Sequence, residues 1–329
     1  MQFLGLFGIY KVSYKLMFSW KKLLNQISLI LIIPLTFNFL IQIELSNVLI
    51  QKILHHTNQM TQTHPNTPQQ QKLIEIISKE WAIFWLIKIA YFVLILVSYL
   101  FSTSAIVYTV ASIYSGAKDI TFNKVVSVIT NLTKKLIGTF LCTVMIVFVY
   151  NIIATMIAIT SALTFGVQNG GGIVILIIIG ILYFVGIIYL IVVWQLANVV
   201  TVLEDSYGFE AMMKSKQLIK GKIGLSIIIS LKFNFCFSVI QFLFGMLVVN
   251  GWKMFELGLI NRIAIGFGCF LLLCHLFLLV HVIQTMLYFV CKSYHNQNTE
   301  MSFASSEYLK VHQGEYEPLK MVKDDTSPV

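Results

Sequence analysis

Six long apolar stretches dominate this chain, running from Leu23 to Ile43, Ile83 to Val110, Leu136 to Leu163, Ile173 to Val200, Ile223 to Val249 and Ile263 to Cys291. Each is long enough to supply the ~20 residues a helix needs to cross hydrocarbon. A bilayer interior offers no water to unpaired amides, so every crossing segment must close its own hydrogen bonds. Continuous apolar runs of this length do that as helices, whereas barrel strands are short and alternate in polarity. The expected fold is all-α, a polytopic bundle of six transmembrane helices. Composition agrees: 57% of residues are hydrophobic, 11% are charged and the mean hydropathy is +0.82. A soluble domain carries roughly 25% charged residues.

The lysines set an orientation. Lys11, Lys15, Lys21 and Lys22 precede the first stretch; Lys118, Lys124, Lys134 and Lys135 follow the second; Lys214, Lys216, Lys220 and Lys222 follow the fourth. The intervening gaps are poorer in basic residues, which by the positive-inside rule places those three clusters and both termini in the cytosol. The formal charge of +9 is then mostly a cytosolic-face charge. Its expected partners are anionic lipids of the cytosolic leaflet and not nucleic acid. The first apolar run exceeds the usual signal-peptide core and no small-x-small cleavage site follows it, so it is expected to remain as a span.

Residues 1–22 read as a cytosolic amphipathic segment, with Lys11, Lys15 and Lys22 on one stripe and Phe7, Tyr14, Met17 and Trp20 available to lipid. Residues 117–135 and 205–222 read as interfacial helices: Phe122, Val125, Val126, Ile129 and Leu132 recur at helical spacing in one, and Phe209, Met212, Met213 and Ile219 in the other. An interfacial helix, an outward span and a return span would then occur three times, as helical-hairpin repeats. Asp119 and Asp205 are placed to cap the second and third interfacial helices. Residues 44–80 form the long external connection, whose Gln-, Thr- and His-rich centre reads as a mobile loop. The tail, residues 292–329, reads as disordered and cytosolic.

Ionisable and polar groups inside spans are the functional candidates of a membrane protein. Lys88 and Lys232 are two, with snorkelling as their simpler role. On the sixth stretch Cys274, His281, Thr285 and Tyr288 fall at offsets of seven, four and three, sharing one face with Gln284 beside them. Such a stripe lines a solute path or bonds helix to helix. Cys291, at the cytosolic end of that span, is a candidate palmitoylation site. In the tail, Tyr308 to Val311 and Tyr316 to Leu319 fit the tyrosine-x-x-bulky pattern of sorting signals read by cytosolic trafficking partners. Zincin, nucleophile-elbow, intramembrane aspartate-pair and histidine-box motifs are absent, so neither an enzyme nor a bound cofactor or metal is expected.

The run Tyr288, Phe289, Val290, Cys291, Lys292, Ser293, Tyr294, His295, the later Gly314 to Lys320, and the opening Gln2 to Gly5 and Phe7 to Ile9 with Phe18, Ser19 and Trp20 resemble an uncharacterised plant family of multispanning transmembrane proteins. Some members of that family are labelled as partners of a polyadenylate-binding protein. The segment Ala211 through Ser215 to Gly221 is similar to the membrane domain found beside glycerophosphodiester phosphodiesterases, without a catalytic domain of that kind. The resemblance implies an integral protein of the endomembrane system or plasma membrane, and it supplies no site residues. The expected function is non-enzymatic, in membrane organisation or trafficking, with a channel or carrier for a small solute as the alternative.

Overall fold

The computed structural model describes residues 5–63, 67–115, 122–166 and 170–295. Among them the secondary structure is entirely helical: α1 (Leu6–Ser19), α2 (Lys21–Gln62), α3 (Pro68–Tyr114), α4 (Phe122–Phe165), α5 (Gly170–Leu203), α6 (Phe209–Ile219), α7 (Ile223–Val249), the short α8 (Gly251–Phe255) and α9 (Leu259–Tyr294). Six of these, α2 to α5, α7 and α9, are long and apolar enough to cross a bilayer. The protein is an integral membrane protein, and its spans pair as the hairpins α2/α3, α4/α5 and α7/α9.

Local chemistry explains several boundaries. Thr67 caps α3 by accepting the Gln70 amide at 3.4 Å, and Pro68 opens the helix where an amide hydrogen would go unused. Pro34 has no amide to donate within α2, and the turn before it, Ser28–Ile32, widens to a π-helical turn that accommodates the ring. A second widened turn, Phe244–Val249, closes α7. There the backbone amide and the side chain of Asn250 both donate to the Gly245 carbonyl at 3.1 Å.

The spans are longer than the hydrocarbon is thick. At ~1.5 Å per residue, the 47 residues of α3 extend ~70 Å against a core of ~30 Å. Much of the surplus lies in the segment read as an external loop. Residues 44–80 are helical at both ends, continuing α2 to Gln62 and beginning α3 at Pro68. Ile53 is buried between the two arms, and Glu80 ties them by receiving Lys52 at 3.3 Å and His56 at 2.8 Å. Gln, Lys and Glu are good helix formers, so a polar composition that reads as a loop also suits a solvated helical hairpin. His64 and Pro65 lie outside the described residues.

Burial is polarised along the bundle. Ser102–Ser112, Leu196–Leu203 and His281–Cys291 are buried without interruption, all in the halves of α3, α5 and α9 nearest the lysine-rich end. They form one core with Leu24, Ile27, Val125, Ile129 and Leu136. The opposite halves of α3, α4 and α5 expose large apolar side chains such as Trp85, Phe148 and Phe184, which is the surface lipid covers. A smaller cluster of Leu40, Phe244, Cys269 and Leu273 joins α2 to α7 and α9 in the half away from the lysine-rich end.

The expected interfacial helices fare differently. The third is a separate helix, α6, with Ala211, Met212, Ser215, Leu218 and Ile219 buried against the bundle. The second is no separate element: from Phe122 it runs straight into the span as α4, and Val125, Ile129 and Leu132 enter the protein core instead of lipid. In α1, Tyr14 meets His275 and Tyr10 meets Phe233 on the bundle, while Phe7 and Phe18, with Lys11 and Lys15, form the exposed ridge. The threefold pattern is therefore complete for the hairpins and broken for the short helices.

Candidate functional site

On α9, His281, Thr285 and Tyr288 are all buried on one side of the helix. His281 donates from Nδ1 to the Phe277 carbonyl at 2.6 Å, since a carbonyl only accepts. In the neutral ring Nε2 is then an acceptor, facing the Thr103 hydroxyl of α3 at 3.0 Å. That hydroxyl also lies 2.8 Å from the Tyr99 carbonyl and has one proton to place between the two. The Tyr99 ring packs on His281 at 5.4 Å. Thr285 returns its hydroxyl to the His281 carbonyl at 2.8 Å, within its own helix.

One turn further on, the stripe ends in a junction that joins three elements. Glu204, just past the end of α5, accepts the Tyr288 hydroxyl at 2.6 Å and Lys292 at 3.3 Å, both from α9, and faces Lys214 of α6 at 3.9 Å. Lys292 also donates to the Tyr288 oxygen at 3.1 Å. The neighbouring Asp205 pairs with Lys135 of α4 at 2.8 Å. Around this junction small hydroxyls bond helix to helix. Thr139 meets Thr201 at 2.8 Å and accepts the Gly208 amide at 2.9 Å, Ser104 meets Thr133 at 3.1 Å, and Ser215 donates to the Val193 carbonyl at 2.7 Å.

The expectation for Asp205 is corrected here. The cap position of α6 is Gly208, with no side-chain cap bond, and Asp205 instead bridges to α4. Asp119 lies outside the described residues. The signal for the junction was in the sequence: Glu204 and Asp205 are adjacent acids amid the lysine clusters. Which lysines they would take depended on how α4, α6 and α9 converge.

The remaining candidates do not gather into one site. Lys88 is half-buried, with its ammonium 5.5 Å above the Phe84 ring. Lys232 is exposed on α7 and sits 4.7 Å above the Tyr10 ring of α1. Both arrangements suit an ammonium whose stem lies along apolar surface. Cys274 lies beside Thr36 of α2, away from the Tyr288 end of its helix. Gln284 turns toward α5 and α7. Cys291 is fully buried, so the packed fold encloses the thiol that was a palmitoylation candidate. Tyr308, Val311, Tyr316 and Leu319 lie outside the described residues.

His281 is open to a direct test by substitution. Leucine there removes the α3 to α9 contact but leaves Thr103 its Tyr99 carbonyl, so the expected loss is small, about 0.5–1 kcal/mol in a denaturant titration in mixed micelles. A loss several times larger would mean the imidazole carries more than this one contact.

The model of a family described as a domain of unknown function, DUF8558, matches residues 1–326, and the chain belongs to that family. No curated protein and no solved structure matches it.

Proposed function

We propose that this DUF8558 member is a non-enzymatic integral membrane protein that acts at its lysine-rich end, in membrane organisation or trafficking within the endomembrane system or at the plasma membrane. That end is read as cytosolic, with both termini on the same side. The observation that carries the reading is the imbalance of charge there. Glu204, Asp205 and Glu210 are each paired with a lysine of the bundle: Lys292 and Lys214, Lys135, and Lys214. Lys11, Lys15, Lys21, Lys22, Lys124, Lys134, Lys216 and Lys220 remain exposed, with no ion pair among the described residues. Each such lysine near an anionic leaflet contributes ~1 kcal/mol of attraction, and together they favour a face that meets phospholipid headgroups.

Affinity capture of the full chain from membranes tests the trafficking half of this reading. Coat or adaptor proteins are expected in the captured material and are expected to be lost on combining Tyr308→Ala with Tyr316→Ala. Capture that is indifferent to both tyrosines would sink it.

A channel or carrier is the second reading, favoured by one observation. The Trp194 indole nitrogen is buried beside Tyr99 with no hydrogen-bond partner among the described residues, in the same part of the bundle as His281. Buried polar groups left open are where a polar solute finds contacts. Solute flux into liposomes that falls on His281→Ala or Lys232→Leu would support transport. Flux equal to that of protein-free vesicles would reject it.

A further inference from the structure

Between α5, α7 and α9, with Ile219 of α6 at its edge, the bundle leaves a cavity of about 10 Å3. Its apolar lining includes Val192, Ile229 and Leu287, and its polar lining is Gln195, Ser226 and Gln284, one from each of the three long helices. Gln284 is only 5% exposed and Ser226 1%. Among the described residues no hydrogen bond reaches the side-chain amide of Gln284, yet neither of its polar atoms is sealed against protein. The amide therefore opens onto the cavity. A space of ~10–15 Å3 holds one water when two to four polar groups surround it.

We infer that this cavity is a binding site for a single water molecule that bridges Gln284 to Gln195 and Ser226 and so joins α9 to α5 and α7. The surrounding groups can fill every hydrogen-bonding position of one water. Ser226 donates its own proton to the Lys222 carbonyl at 3.1 Å, which leaves its oxygen to accept one from the water. The water gives its second proton to an amide oxygen and accepts from the two amide NH2 groups, filling all four of its positions. An apolar void of this size would stay dry, so the three polar side chains are what select water. The site lies one turn from His281 on α9, where the α7/α9 hairpin meets α5.

The tests use the full chain in nanodiscs and in mixed micelles. A structure at a resolution that shows ordered solvent is expected to place a density peak within about 3.2 Å of both the Gln284 amide and the Ser226 oxygen. A Gln284 amide bonded to protein, with no peak in the cavity, overturns the inference. The second measurement is a double-mutant cycle of Ser226→Ala and Gln284→Met. Residues sharing one bridging water are expected to be non-additive, the double variant retaining about threefold more folded protein than the product of the single effects predicts. Additive effects overturn it as well. If coupling appears without the peak, the two side chains interact by packing and the water site is rejected.

Discussion

Replacing Glu204 with alanine is expected to release the end of α5 from α9 and α6 and to lower the unfolding free energy by about 2–4 kcal/mol. The side chain of Glu204 is 16% exposed and that of Lys292 13%, so this is a largely buried pair. Removing the carboxylate strands the hydroxyl proton of Tyr288, a residue 1% exposed, and leaves the ammonium of Lys292 with the Tyr288 oxygen but no countercharge within bonding distance among the described residues. A fully buried charge left unpaired costs about 3–5 kcal/mol, and the residual exposure here brings the figure down. Asp205 provides the control beside it. Its side chain is 73% exposed and that of Lys135 32%, so Asp205→Ala is expected to cost about 0–1 kcal/mol. Glu204→Gln should fall between the two, because an amide oxygen still accepts from Tyr288 but no longer offsets the charge of Lys292. Denaturant titration of all three variants in mixed micelles makes the comparison, and a Glu204→Ala no weaker than Asp205→Ala would show that the junction does not hold the bundle.

Valine at Gly221 should cost about 1–3 kcal/mol, for a different reason. Gly221 makes the turn from α6 to α7 at φ +87, a backbone conformation that a β-branched residue adopts only at a cost of about 1–2 kcal/mol. A Cβ there would also run into the ring of Tyr294, at the end of α9. Tyr294 is 43% exposed, so the ring can turn aside into solvent, at the cost of the contacts it makes now. Lys222 lies 5.1 Å above it, and the next residue, His295, is fixed to the Lys220 carbonyl at 3.0 Å and the Leu218 carbonyl at 3.2 Å. The two contributions separate by experiment: in a Tyr294→Ala background the clash disappears and Gly221→Val should cost only its backbone part. A cost unchanged by Tyr294→Ala would mean that the ring is not what the valine meets.

These two sites show what could and could not be read from residues in order. The face shared by His281, Thr285 and Tyr288 was legible, because offsets of three and four recur on one side of any helix whatever surrounds it. Their partners were not. Thr103 and Glu204 lie 178 and 84 residues from the α9 side chains they meet, and nothing local indicates those pairings. The same limit explains the second interfacial segment. The periodicity of Val125, Ile129 and Leu132 identified a buried helix face correctly, but an apolar face packs equally well on lipid or on protein. The polar hairpin of residues 44–80 failed in the opposite sense. Its composition hid two helical arms that Ile53 and the bonds to Glu80 hold together.

By itself the sequence determined the helical class, the six apolar spans and the concentration of lysine at one end. Each follows from short-range physics, since a segment in hydrocarbon must satisfy its own backbone and a lysine stays near water wherever the rest of the chain goes. Only the tertiary structure decided which apolar faces meet protein and which meet lipid, that α4 runs unbroken into its span, and that Glu204 draws three elements together. Hydrocarbon tails and a protein core are alike in polarity, so hydrophobicity cannot choose between them. The choice rests on packing and on which buried polar groups find each other across the bundle.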